Sequence, residues 1–247
     1  DAEGNIWIGT WSNGLNLWDP KTDDFTRFTT KNTPALKHQN VRYLHRTPQG
    51  RFIAGTGEGP LEIFHIRDTY VFIPLLPESN PQYDNLNSKR VLCIESDESG
   101  KLWIGTENEG LFVVDLAQKQ AQQFLNDPND PNSLCANSIW SLFKDDRGII
   151  WVGTFNQGLC KIDPYEQKFS RLYHSSLAPN SLSNNIVSAF SEDQKGNIWV
   201  GTEGGGLNYF NRKKQTFTHY KADKDRPGTL SNNTVVSMCT DHHGNLW

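Results

Sequence analysis

The sequence predicts an all-β fold, a β-propeller of four-stranded antiparallel blades, with about five blade-lengths in its 247 residues. Two observations carry this. A phrase recurs as GNIWIGT (4–10), GRFIAGT (50–56), GKLWIGT (100–106), GIIWVGT (148–154) and GNIWVGT (196–202), and the chain ends on GNLW (244–247). Its anchoring glycines, Gly9, Gly55, Gly105, Gly153 and Gly201, lie 46, 50, 48 and 48 residues apart, the period of a propeller blade. Five residues after the anchor comes Gly-Leu at 14–15, 110–111, 158–159 and 206–207, with Pro60-Leu61 in the second repeat.

The elements follow in order. An apolar run opens each unit: VLCIES (91–96), IWSLFK (139–144), IVSAFS (186–191) and VVSMCT (235–240). A turn follows with Asp first and Gly three places on, at Asp97/Gly100, Asp145/Gly148, Asp193/Gly196 and Asp241/Gly244. This suits a type I turn capped by the Asp side chain with a left-handed Gly. Repeat two uses Thr47-Pro48-Gln49-Gly50 instead, with Pro where its fixed φ helps. The Trp-Ile/Val-Gly-Thr segment is the second strand and the Gly-Leu segment the third. A fourth carries aromatics three apart, as at Phe25 and Phe28 or Phe217 and Tyr220. No segment shows a helical apolar stripe. Trp7, Trp103, Trp151, Trp199 and Trp247 are expected to fill the space between neighbouring blades, since a lone sheet cannot bury both faces.

Residues 1–247 therefore read as one propeller segment whose sixth repeat is cut at Trp247, expected to come from a longer seven-bladed, single or tandem, array. The net charge of −4 argues against a nucleic-acid partner. No run approaches a membrane span, and no leader pattern opens the chain. Cysteines at 93, 135, 160 and 239 show no metal-ligand spacing, so they are expected to be small buried residues and not a disulfide framework. No cofactor and no metal are expected.

The stretch SNNIVSAFSEDQKGNIWVGTEGGGL (183–207) resembles the repeat of the two-component regulator propellers, the periplasmic sensor regions of hybrid two-component histidine kinases of Bacteroidetes. The resemblance extends along the whole chain and weakens in repeat two, where Ile53, Ala54 and Pro60 replace the usual Trp, Ile/Val and Gly. It implies a periplasmic location, attachment to an inner membrane through other parts of the protein, and further blades and kinase domains as partners in the same polypeptide. It also implies an oligosaccharide ligand, or a homodimer scaffold that recognises one.

The loops between strands two and three differ while their flanks do not, and variable loops on a constant scaffold are where function concentrates. Trp11 and Phe155 offer faces for sugar stacking; Asn13, Glu58, Glu107, Asn108, Glu109, Asn156, Gln157 and Glu203 offer groups for hydroxyls. Arg42, Arg90 and Trp140 stand at or near the starts of first strands, by the expected channel mouth. Asp127 and Asp130 form no calcium-loop motif, and His242-His243 lie in a turn. Three readings compete. A sensor domain is favoured. A protein-interaction propeller would use the same loops, with Trp11 or Arg90 as anchors. A propeller glycosidase or lyase would need a convergent acid–base set, and no nucleophile elbow or metal cluster is present.

Overall fold

The computed structural model describes residues 4–67, 69–76, 86–118, 120–163 and 168–247. Its strands form five antiparallel sheets. The first has three strands, β1 (Ile6–Gly9), β2 (Leu15–Asp19) and β3 (Asp24–Phe28). The second contains β4 (Val41–Arg46), β5 (Phe52–Thr56), β6 (Gly59–Ile66) and β7 (Thr69–Pro74). The third contains β8 (Val91–Ser96), β9 (Leu102–Thr106), β10 (Leu111–Asp115) and β11 (Gln120–Phe124). The fourth contains β12 (Ile139–Lys144), β13 (Ile150–Thr154), β14 (Leu159–Asp163) and β15 (Lys168–Leu172). The fifth contains β16 (Val187–Glu192), β17 (Ile198–Thr202), β18 (Gly206–Asn211) and β19 (Thr216–Tyr220). In every sheet the strands pair in sequence order, which is the up-and-down meander of a propeller blade.

The chain divides into two compact units, residues 1–123 and 124–247. In the first, Leu15, Leu36, Val41, Ala54 and Leu61 build one buried cluster; Ile53, Val91, Ile94, Ile104 and Phe112 build another. In the second, Trp151, Leu159, Val187, Phe190 and Phe210 bury together. Sheets approach closely through the anchor glycines. A Cβ on Gly55 would stand 2.7 Å from Val91 Cγ1 of the next sheet, and one on Gly201 would stand 2.8 Å from Val235 Cγ1. Glycine is required there by space and not by φ.

The turns form as the sequence indicates. Gly100, Gly148 and Gly196 donate their amides to the carbonyls of Asp97, Asp145 and Asp193 at 3.0–3.1 Å, and their φ values are +83°, +79° and +76°. Repeat two forms a complete four-stranded sheet despite its departures. Ile53 takes the tryptophan position with 0% exposure, and beside it Arg51 makes two 2.6 Å hydrogen bonds to the buried Glu62 carboxylate.

Three expectations need correction. VVSMCT (235–240) forms no ladder strand: Cys239 and Trp247 exchange backbone hydrogen bonds, and Thr240 bridges Leu246. Only the residues after Gly244 lie opposite it, too few for a ladder. The tryptophans are not equally buried. Trp103 and Trp151 are (3% and 1% exposed), Trp7 and Trp199 are half-buried, and Trp247 is 73% exposed. Cys135 and Cys160 form a disulfide, Cα–Cα 6.1 Å, tying the loop before β12 to β14. The cysteine positions in sequence gave no framework pattern because the two residues meet only once the loop folds back on its sheet. Cys93 is buried and free; Cys239 is exposed and free.

Candidate functional site

A repeated irregularity positions the first group of candidate residues. Each first strand shifts register at its second residue, between Val41 and Tyr43, Val91 and Cys93, Ile139 and Ser141, and Val187 and Ala189. The skipped residues are Arg42, Leu92, Trp140 and Ser188. A bulge re-aims the side chain it displaces. In the first unit the Arg42 guanidinium stands 5.6 Å from the centroid of the Trp11 ring, a cation–π distance. In the second unit the Trp140 and Phe155 rings pack with centroids 4.8 Å apart.

The threonine of the repeated phrase closes each strand two–three loop. Thr10, Thr56, Thr106, Thr154 and Thr202 donate their hydroxyls to the carbonyls of Gly14, Gly59, Gly110, Gly158 and Gly206 at 2.7–2.9 Å. The glycine amides are then taken up by the next interblade loop: Gly14 by Gln39, Gly59 by Lys89, Gly158 by Asn185 and Gly206 by Asn233, at 2.7–2.9 Å. Both kinds of loop therefore share a face within each unit, and the loop tips are rigidly presented.

On this face Trp11 is 65% exposed and Phe155 43% exposed. Trp11, Lys37, His38 and Arg90 line an open depression of about 480 Å³. Arg90 also pairs with Glu107 at 2.7 Å, and Lys89 pairs with Glu109 at 2.9 Å. Asn13 donates its amide to Thr10 Oγ1. Asn108 is exposed at φ +67°, a conformation asparagine tolerates. Glu58 is exposed, its amide bound by Thr56 Oγ1. In the second unit Asn156 is exposed beside Phe155. Gln157 accepts hydrogen bonds from Arg171, whose guanidinium covers the Tyr173 ring at 5.1 Å. Glu203 bridges Thr234 and donates its amide to Ile186 O. The structure thus brings Trp11 together with Arg42 and Arg90, and Trp140 with Phe155. Glu58 lines a small pocket with Lys37 and Asn87, and Glu203 is held by its backbone against Ile186 and Thr234.

The remaining polar candidates are absorbed by turns. Asp127 Oδ1 accepts from the Asn129 amide and Asp130 Oδ1 from the Asn132 amide, the Asx-turn use of aspartate. No group of three metal-ligating side chains occurs among the described residues, His242 and His243 included.

The sequence reading took the turn aspartates and the tryptophans as separate features. The structure joins them: Trp103 Nε1 donates to Asp97 at 2.9 Å, Trp151 to Asp145 at 2.6 Å and Trp247 to Asp241 at 2.9 Å. In repeat five Tyr209 donates to Asp193 instead, at 2.7 Å. The constant six-residue Asp-to-Trp spacing was the available signal.

Comparison with known proteins agrees with this architecture. Residues 85–108, 133–156 and 181–204 match the model of the two component regulator propeller, so the resemblance read from the sequence is borne out. No curated protein matches the chain. Among solved structures, the extracellular domain of a protein described as the hybrid two component system BT3049 from B. thetaiotaomicron superposes with a TM-score of 0.77 at 21% identity, over 98% of this chain and 30% of that one. The extracellular domain of BT4673 from the same organism gives 0.57 at 22%, over 98% and 37%. A catalytically inactive virginiamycin B lyase from Staphylococcus aureus, solved with quinupristin, gives 0.69 at 13%, over 100% and 74%. The chain spans about a third of the length of the two Bacteroides domains. These likenesses establish the fold, a β-propeller, and three segments of the chain match the two component regulator propeller model.

Proposed function

We propose that this chain is part of the extracytoplasmic, periplasmic sensor propeller of a membrane-bound two-component system. In this reading it binds an oligosaccharide and passes the signal to histidine kinase domains elsewhere in the same protein. The observation that carries the reading is the pair of bulge-aimed groups, Arg42 behind Trp11 and Trp140 behind Phe155, each presenting an exposed aromatic on the loop face of its unit. A rigidly backed ring loses little freedom on binding and suits the apolar face of a pyranose. Lys37, His38 and Arg90 around the depression beside Trp11 offer hydrogen-bonding groups for sugar hydroxyls. The Cys135–Cys160 disulfide supports an oxidising compartment, and the extracellular two-component domains of the same fold support the sensor context.

The test is calorimetry of the protein against neutral and uronic-acid-containing oligosaccharides. Saturable binding without product release, weakened about tenfold by Trp11→Ala or Phe155→Ala, is the expected result. Product release would make the chain an enzyme. No binding by any sugar to the folded protein would remove the ligand-sensor reading and leave the protein-interaction one.

A further inference from the structure

One residue of the depression beside Trp11 departs from the rule that buried polar groups are hydrogen-bonded. Asn40 lines this depression and is 4% exposed, and its Oδ1 has no hydrogen-bond partner. The backbone does not ask for asparagine here. Asn40 immediately precedes β4 as Ile186 precedes β16, and the two carbonyls do the same job. Asn40 O accepts the Gly57 amide at 2.9 Å, and Ile186 O accepts the Glu203 amide at 3.0 Å. An isoleucine thus serves in the second unit where the first keeps an unbonded carboxamide oxygen. An orphaned buried acceptor lowers stability, so the fold itself gains nothing from it.

Two residues upstream the same comparison yields a donor. Asn184 Oδ1 accepts the Ile186 amide and Asn232 Oδ1 accepts the Thr234 amide, both at 2.8 Å. In the first unit His38 Nδ1 takes this role, accepting the Asn40 amide at 2.9 Å. A neutral imidazole that accepts through Nδ1 carries its proton on Nε2. Histidine in place of asparagine therefore adds a donor to a residue that lines the depression. The ring is seated on Gly57, where a Cβ would stand 2.4 Å from Nδ1 and 2.6 Å from Cγ, so glycine at 57 leaves the ring its place. Arg90, on the same depression, is already engaged by Glu107 at 2.7 Å.

We infer that Asn40 and His38 are the specificity-determining pair of this depression, and that its ligand class is a neutral sugar with vicinal hydroxyls. The inference rests on the sugar-sensor reading and deepens it. The Asn40 carboxamide turns about its terminal torsion, which has broad preferences, and gives up no bond at Oδ1 in doing so. Oδ1 then accepts from one hydroxyl while His38 Nε2 donates to its neighbour, and Trp11 takes the apolar face of the ring. A carboxylate has no proton to give to Oδ1, and the Arg90 charge that would attract one is met by Glu107. A site built to hold a hydroxyl rejects an analogue lacking it, because its own polar groups are left unpaired.

The probes are cellotetraose, mannotetraose, xylotetraose and tetragalacturonate, titrated into the full 247-residue chain. The variants are His38→Asn and Asn40→Ile, each carrying the residue that the second unit places at the equivalent position, Asn184 and Ile186. Saturable binding of a neutral tetraose is expected, at least about tenfold weaker in each variant, with thermal midpoints no lower than that of the parent chain. Neutral-sugar binding that Trp11→Ala weakens but neither variant changes would overturn the pair and leave the sugar-sensor reading standing. Tighter binding of tetragalacturonate than of any neutral tetraose would overturn the ligand class. No binding by any probe would remove the reading and the pair together. Should a variant fail to fold, nuclear magnetic resonance of the parent chain decides. The side-chain signals of Asn40 and His38 shift on saturation with the neutral tetraose, and unmoved signals overturn the proposal.

Discussion

The guanidinium of Arg212, just beyond β18, is hydrogen-bonded to the buried carboxylate of Asp145 in the turn of the preceding sheet. Asp145 is already filled by the amides of Arg147 and Ile149 and by Trp151 Nε1. Arg212 also lies 5.5 Å from the Trp151 ring centroid, so one arginine joins the turn, the tryptophan and the next sheet. Removing one partner of a buried pair leaves the other charge uncompensated. Arg212→Ala is therefore expected to destabilise the protein by about 3–5 kcal/mol. Arg212→Lys restores only part of this, because lysine lacks the planar fork. Urea unfolding of the three proteins reads the difference, and a loss below about 1 kcal/mol would mean that the pair behaves as a surface bridge.

Glu192 gives the same junction a pH dependence. Burial pushes its carboxyl up to about 7; the Asp146 side chain adds to the rise, while the Asp146 amide and Arg212 oppose it. A carboxyl raised in the folded state binds its proton more tightly there than in the unfolded chain. Stability from this group is thus present below the unfolded value, about 4.5, and is lost as pH rises towards about 7. Glu192→Gln is expected to flatten that part of the stability profile, measured by thermal melts between these limits. An unchanged slope would assign the dependence to another group.

The Cys135–Cys160 disulfide closes a loop with a sequence separation of 25. A cross-link of that span stabilises by about 3 kcal/mol, chiefly by restricting the unfolded chain. Reduction should lower the unfolding midpoint of the native protein and leave a Cys135→Ser/Cys160→Ser variant unmoved. Equal midpoints with and without reductant would show the bond to be absent or without effect.

The repeat made the blades legible because its strands and turns are fixed by local chemistry: the Asp–Gly turn, the Gly-Thr anchor, the apolar run that opens each unit. The loop candidates were legible only as positions. That Trp11 is backed by Arg42, and Phe155 by Trp140, depends on a bulge at the second residue of each first strand, and nothing in the residue types at 42, 92, 140 and 188 announces it. The Cys135–Cys160 bond was invisible because it depends on where a loop lands.

The anchor glycines offer a test of how sheets pack within a unit. Gly55 adopts an ordinary φ, so its need for glycine is steric: an added Cβ would stand 2.7 Å from Val91 Cγ1 and 3.2 Å from its Cβ. Val91 is fully buried and has nowhere to retreat. Gly55→Ala should therefore cost about 1–3 kcal/mol. Val91→Ala should cost about 2 kcal/mol by opening a cavity. Together they should cost less than their sum by about 1 kcal/mol or more, since the new methyl enters the space the valine leaves. Gly50→Ala is the contrast. Its φ of +84° makes the change costly, yet nothing lies within 4 Å of its Cβ position, so its effect should add to that of Val91→Ala. Additive behaviour of the Gly55 pair in chemical denaturation would show that the two sheets can move apart, and that glycine at the anchor answers to some other constraint than the valine across from it.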